Sequence, residues 1–506
     1  MIGVLHIAGI IFVLILIACV GAYSGRKVSD AADFTTGGGK AGTMVVAGTI
    51  MGTLVSGQAT VGTAQLAFNF GMSAWWFTLG SGIGCLILAI AYAKRMRHSG
   101  KTTLVGVITR DYGEACDYAA SVFSSIGIFI SVIAQMISAT ALITTIIPMP
   151  LPAAALVSVL IMTVYVVFGG VWGAGIGGVM KLILLYVSSI AGGVFVLKVT
   201  GGAEGINDML TGILAGSQLG EINGIYSASD IAPRFASLVA RGPLKDLGSG
   251  LSLVLGVIST QSYASAIWAA KSDSAAVKGS LISALLIPPI GVACILIGLF
   301  MRGHCITSEE ATALIQAGQS VPEGMMVIAS SAQVFPQFVL HYLHPLFGGI
   351  VLGTLFITIV GGGAGLSLGV STIVVEDIIA EMTMRFHNPA KKLFLSRGII
   401  VFVLVLSAVI ALLLPSAMIN DFGFLSMGLR GAVIFVPLTT ALYLKGRISA
   451  NWGLTSVIAG PASVIAGNIL KAPFDPLFIG VAVNIIIMTL GLILSGKNVS
   501  NTEKML

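Results

Sequence analysis

Apolar residues run along this chain in long blocks separated by polar stretches. A bilayer crossing needs about 20 such residues, within a range near 17–25. Thirteen blocks qualify, at 3–23, 43–66, 72–93, 116–147, 152–171, 173–199, 246–268, 279–301, 344–372, 394–415, 418–443, 448–468 and 475–496. They predict an all-α polytopic membrane protein, because an open sheet edge finds no hydrogen-bond partners in lipid. The first block, MIGVLHIAGIIFVLILIACVGAY, lacks a basic leader and is followed by Arg26 and Lys27. That is the reverse of the charge order in a cleaved signal peptide, so it predicts a retained first span with the N-terminus outside.

The basic residues test this count, since cytoplasmic loops collect lysine and arginine. With the N-terminus outside, the inside segments hold 18 of the 26 Lys and Arg residues, among them Lys94, Arg95, Arg97, Lys101, Arg110, Lys271, Lys278, Arg385, Lys445 and Lys504. Six fall outside, and Lys181 and Arg430 fall within spans. A missed span early in the chain would spoil this alternation. The C-terminus is therefore expected inside, in a cytoplasmic membrane.

Composition agrees. Hydrophobic residues make up 56% of the 506 and charged residues 9%, against about 25% charged in a soluble domain. Such a chain can cover a lipid-facing surface but not a water-facing one, which excludes a soluble enzyme, a nucleic-acid binder and a disordered chain. Sixty-four glycines suit membrane helices that approach closely. The five cysteines are odd in number and without CxxC spacing, so neither a disulfide framework nor a metal site is expected. Two long outside loops, 200–245 and 302–343, contain amphipathic stretches such as GINDMLTGILAG, which predict short helices over the outer face. His304, His341 and His344 lie there without ligand-spaced partners.

Setting the leading span aside, the next ten form two successive groups of five, 43–199 and 246–443, with two trailing spans at 448–496. Five is odd, so the second group enters the membrane inverted. The span at 43–66 carries Gly52-Thr53-Leu54-Val55-Ser56-Gly57-Gln58 near its middle, and that at 246–268 carries Gly256-Val257-Ile258-Ser259-Thr260-Gln261-Ser262. Paired glycine- and hydroxyl-rich interruptions at corresponding places point to unwound helices around a transporter site at the midplane. The alternative is that these small residues serve only helix packing.

Three segments carry a resemblance. DFTTGGGKAGTMVVAGTIMGTLVSGQATVGTAQLAFNFGMSAWWF, KRMRHSGKTTLVGVITRDYG and SYASAIWAAKSDSAAVKGSL together resemble the sodium:solute symporter family over nearly the whole chain, 1–506, read as one transporter domain. The resemblance implies the LeuT-type fold, a 5+5 inverted repeat, and a sodium site between the spans at 43–66 and 344–372. It implies ion-facing carbonyls at Gly52 and Val55. The two hydroxyl positions on the later span fall on Gly361 and Gly362, beside Thr358, and the acidic position on the span at 173–199 falls on Gly178. Glycine has no side-chain oxygen, and a hard cation needs several. Sodium is not expected at this site.

Lys181 lies nearly one turn beyond Gly178 in GGVMKLILLYVSS. An intramembrane lysine costs roughly 2.5–3.5 kcal/mol even on lenient insertion scales and is a functional candidate. By analogy with sodium-independent relatives in the wider superfamily, its ammonium could take the sodium seat against the carbonyls of Gly52, Val55 and Thr358. Titration of that lysine would couple transport to protons; a permanently charged one would lock the bundle. The plain alternative is a lysine snorkelling to the inner surface.

Between the two breaks, Gln58, Gln261 and Ser262 are the candidate substrate contacts, with Gln135 behind them. Each amide could instead satisfy unwound backbone. Arg430 could anchor an anionic solute or pair with Asp421 or Asp377, and Trp75, Trp76 and Phe77 could wall the pocket or form an interface belt. The expected function is secondary active transport of a small polar organic solute by alternating access, with a proton or sodium as coupling ion. A sodium symporter typical of the family, and a solute sensor that does not transport, are the competing readings. GGGKAGT at 37–43 lacks phosphate-loop spacing, and no catalytic grouping, cofactor or nucleic-acid partner is expected.

Overall fold

Helices form where the apolar blocks predict them. The computed structural model describes residues 2–25, 40–101, 103–169, 176–379 and 389–503. Arg26, Lys27, Arg385 and Lys504 lie outside the described residues, as does the side chain of Asp377. Helix α1 spans Val4–Gly25. Helices α2 (Thr43–Leu54) and α3 (Thr63–Phe70) divide the second predicted span, and α4 (Trp76–Ile87) runs on through a π turn to Arg97. A short α5 (Leu104–Tyr112) precedes α6 (Glu114–Ile146), α7 (Leu151–Gly169) and α8 (Ile176–Thr200). Helices α9 (Pro243–Ile258) and α10 (Gln261–Ala269) divide the seventh predicted span, and α11 is Asp273–Arg302. After two loop helices, α12 (Ser308–Gln316) and α13 (Val334–Tyr342), come α14 (Pro345–Ile373), α15 (Pro389–Leu413), α16 (Ile419–Tyr443), α17 (Ala450–Ile469) and α18 (Leu477–Glu503). Among the described residues nine helical runs are long and apolar enough to cross a membrane, ten with the α9–α10 pair, and three shorter apolar helices join them.

Both predicted interruptions are real breaks. After α2, Val55 adopts an extended conformation, and the chain resumes as a π turn at Gln58–Gly62 before α3. Helices α9 and α10 are bent by 42° at Ser259–Thr260. Gly57 shows why a small residue is needed: a Cβ there would lie 2.9 Å from Gln135 Oε1 on α6. Gly71, which turns the chain from α3 toward α4, has φ +55°, and a Cβ would fall 2.0 Å from the Phe235 carbonyl oxygen. Only glycine meets both demands.

Helix α9 packs between α4 and α16, α6 packs on α14, α15 and α16, and α8 packs on α2 and α11. Helix α1 lies along α14, where Gly9 abuts the backbone at Leu346 and Gly349. Close backbone approach of this kind, rather than hydrophobic exclusion, holds helices together in lipid.

The two long loops cover one end of the array. The stretch predicted as amphipathic forms a helix over Ala203–Leu214 that buries Ile206, Leu210 and Leu214. A parallel two-stranded pairing of Cys305–Thr307 with Met326–Ile328 ties the second loop together. Buried Arg302 pairs with Glu310 at 2.7 Å and lies over the Phe68 ring, fixing this cap onto the end of α3. At the opposite end the basic residues gather: Arg97 bonds Asp273, Arg110 bonds Ala441 O, and Arg95 lies over Tyr443.

Candidate functional site

Helix α6 is the common support of both breaks. Gln135 donates its amide to Ser56 Oγ at 2.8 Å and accepts from the Gly57 N–H at 3.3 Å. It therefore satisfies unwound backbone, the second of the two roles open to it. One turn earlier on the same face, Ser131 Oγ accepts from the Arg430 guanidinium at 3.2 Å. Arg430 also donates to Thr260 Oγ1 at 3.0 Å, to Ser426 Oγ at 2.8 Å and to Ser426 O at 3.2 Å. So the first break is braced from Gln135, and the second from Ser131 through Arg430.

Arg430 has no carboxylate partner among the described residues. Asp421 is taken by Arg241 at 2.8 Å, on the loop end of α16. Arg241 also binds Asp246 through Nε at 2.6 Å and through its backbone N–H at 2.9 Å. Asp246 is fully buried and accepts from Ser73 as well.

Lys181, on α8, is buried and donates to Gly52 O at 2.7 Å, where α2 approaches its break. That is its one hydrogen bond among the described residues, so Lys181 and Gly52 are brought together while Val55 and Thr358 make no bond to the ammonium. Thr358 Oγ1 is buried without a partner among the described residues. Around a Cβ built at Gly361 the nearest atom is Tyr165 Oη, at 3.6 Å; at Gly362 it is Ser56 Cβ, at 3.3 Å.

The remaining polar candidates divide. Gln58 is buried, its Nε2 lacks a partner among the described residues, and it lies against Gly423 near the Phe77–Phe424 ring pair, whose centroids are 5.7 Å apart. Gln261 points elsewhere: its Oε1 accepts from Leu104 N at 2.8 Å, capping α5, and its Nε2 donates to Ser265. Ser262 is exposed. Trp75 and Trp76 donate to the carbonyls of Pro288 and Leu238, so they tie down the start of α4, while Phe77 alone of the three packs beside Gln58.

On the loop side of Gln58, α3 is tied to the cap and to the start of α16. Gln65 on α3 donates to Ser331 Oγ in the cap and to Ala417 O, and accepts from Ile419 N at 2.9 Å. Ser131, Ser426, Gln65 and Arg241 escape a reading of mid-span charges and paired breaks. A helical-neighbour search finds the first two, since Ser131 precedes Gln135 and Ser426 precedes Arg430 by four residues. Nothing local marks Gln65.

A family model for the sodium:solute symporter family matches residues 34–460. The chain belongs to the sodium:solute symporter family. It is 23% identical over 447 residues to the uncharacterized symporter YwcA of Bacillus subtilis (strain 168), covering 88% of this chain and 82% of that one. It is also 23% identical over 492 residues to the human high affinity choline transporter 1, covering 92% and 76%. Among solved structures, a Na+-coupled sialic acid symporter in a substrate-bound outward-open state aligns with TM-score 0.68 at 15% identity over 97% of both chains. An inward-facing conformation of Mhp1 aligns with TM-score 0.52 at 13% identity over 91% of both. The fold of this symporter-family chain is thus the LeuT type, with one leading and two trailing helices. It is a multi-pass secondary transporter rather than an enzyme, and its family implies a small-molecule solute and a coupling ion.

Proposed function

We propose that this protein moves a small polar organic solute across the cytoplasmic membrane by alternating access, with the Lys181 ammonium in the seat that sodium occupies in relatives. The hydrogen bond from Lys181 Nζ to Gly52 O carries the reading, because it sets a fixed cation on the broken helix where the family motif puts ion-facing carbonyls. The glycines at 361 and 362 remove two hydroxyl ligands that a sodium ion would need. In this scheme residues 43–199 and 246–443 are the two repeats, the basic end faces the cytoplasm, and Gln58 contacts the solute. The Gln65 and Arg241 contacts then tie the loop ends of the helices together, and alternating access would require them to break.

A lysine that is charged when α2 closes on it and neutral when the site opens would couple the cycle to protons. The decisive experiment measures solute uptake into proteoliposomes with sodium and pH varied independently, for the native chain and Lys181→Ala. Uptake driven by a proton gradient, indifferent to sodium and lost in the variant supports the scheme. Strict sodium dependence in both proteins overturns it.

A further inference from the structure

Where the cap meets α6, the structure leaves a cavity of about 400 Å³. That falls within the roughly 300–1,000 Å³ of small-molecule sites. Four segments wall it: α6, the link from α6 to α7, the cap segment 329–333 and the end of α15. From α6 come Ile137, Thr140, Ala141 and Thr144. At about 3.6 residues per turn these lie on roughly the opposite face of α6 from Ser131 and Gln135, which support the two breaks. The cavity therefore faces away from the candidate solute site.

Its lining restricts what it can hold. Among the described residues no charged side chain lines it. The link contributes Pro148, Met149 and Leu151, and the end of α15 contributes Ala411, Leu412 and Pro415. A charged ligand would leave water there with nothing to pair it, which is unfavourable. Four uncharged polar residues complete the walls, all where the cap joins α6. Two of them are engaged with each other: Gln333 Nε2 donates to Thr144 Oγ1 at 2.9 Å, while Gln333 Oε1 accepts from the Ala329 N–H at 3.0 Å. The other two keep capacity. Ser330 Oγ accepts from the Ala332 N–H at 3.2 Å, which leaves its own hydrogen to donate. Thr140 Oγ1 donates to Met136 O at 2.8 Å, which leaves it able to accept. One donor and one acceptor beside apolar walls match an alcohol.

We infer that this cavity binds a neutral, mainly apolar organic molecule carrying one hydroxyl, of the aryl-alkyl alcohol class. The link and α15 take the hydrocarbon, and Ser330 and Thr140 take the hydroxyl. Such an occupant touches α6, the cap and α15 at once. The cap is otherwise held here by the bond from Gln333 to Thr144 and by that from Gln65 to Ser331. Occupancy adds a further bridge and slows the opening of the cap, because a ligand stabilises the state that binds it. The site is independent of which solute the protein carries.

The test is binding to the full chain in lipid nanodiscs by calorimetry, with empty nanodiscs as the blank for partition into lipid. The probes are phenylbutanol, its anionic counterpart phenylbutyrate and its cationic counterpart phenylbutylamine, at neutral pH. Saturable binding of the alcohol is expected, with each ion bound at least about tenfold more weakly. Ala141→Phe fills the cavity and is expected to weaken the alcohol at least about tenfold. Thr140→Val keeps the shape, loses the acceptor and weakens it less. Hydrogen exchange over 329–333 slows when the alcohol is added to the native chain and not when it is added to Ala141→Phe. Should Ala141→Phe fail to fold, Thr140→Val and Met149→Trp, the latter at a half-buried wall residue, carry the test. Absence of saturable binding, ions that bind as well as the alcohol, or undiminished binding in the folded variants overturns the inference. Binding with unchanged exchange over 329–333 overturns the bridge across the cap.

Discussion

Replacing Lys181 by methionine keeps the unbranched stem and removes the ammonium. Two terms decide the effect on stability. Burying the lysine costs roughly 2.5–3.5 kcal/mol at membrane depth. Its bond to Gly52 O returns about 1.5–3 kcal/mol, the range for a hydrogen bond to a charged group. Gly52 is only half-buried, so water can replace the lost donor. The terms largely cancel, and Lys181→Met is expected to change stability by no more than about 2 kcal/mol while abolishing proton-driven uptake. Thermal unfolding in detergent and uptake under an imposed pH gradient, both normalised to folded protein, check the two halves. A large loss of stability with uptake per folded molecule unchanged would show a structural lysine and refute the reasoning.

Other predictions concern the supports around that site. Gln135→Leu removes two bonds and leaves the buried Gly57 N–H unpaired, so a loss of about 2–4 kcal/mol in unfolding stability is expected. Arg241 separates two roles in one side chain. Asp421→Asn cuts a half-exposed pair, expected to cost under about 1 kcal/mol yet to loosen the link between Arg241 and α16, read as faster labelling of a cysteine introduced at Gln58. Arg241→Met strands buried Asp246 and is expected to cost about 3–5 kcal/mol. In the cap, burial pushes the Glu310 carboxyl up, but the Arg302 charge and the bonds from Thr307 and Asn223 outweigh it and hold the group below its ordinary value. A depressed carboxyl stabilises above its unfolded pKa, about 4.3, and that stability is lost as pH falls through the lower folded value. Hydrogen exchange over 305–316 should therefore stay flat from pH 5 to 8 and rise only in more acid solution, beyond the chemical exchange trend; a rise within the neutral range would contradict this.

Much of the architecture was legible because lipid makes few demands and makes them uniformly. Span length, the basic residues between spans and the paired glycine–serine clusters at 52–58 and 256–262 each follow from one local rule, and both clusters are breaks. The same logic picked out Lys181 and Arg430, since an ionisable residue inside an apolar run needs a reason to be there. It could not say where those side chains end. Asp421 was a reasonable partner for Arg430 by position along α16, but it lies at the helix's loop end, within reach of Arg241. Gln261 sits beside the break yet turns away from it to cap α5.

What the chain alone determined is therefore what depends on neighbours within a few residues: which stretches are helical, where they are interrupted and which side chains are too costly to be idle. What only the tertiary structure decided is partnership. Gln135 meets Ser56 across 79 residues, Lys181 meets Gly52 across 129, and Gln65 meets Ile419 across 354. A hydrogen bond is fixed to within a few tenths of an ångström, whereas hydrophobic burial tolerates any apolar neighbour. The pattern of apolar residues can specify a helix and its depth, but not which donor on a distant helix an orphan carbonyl will find.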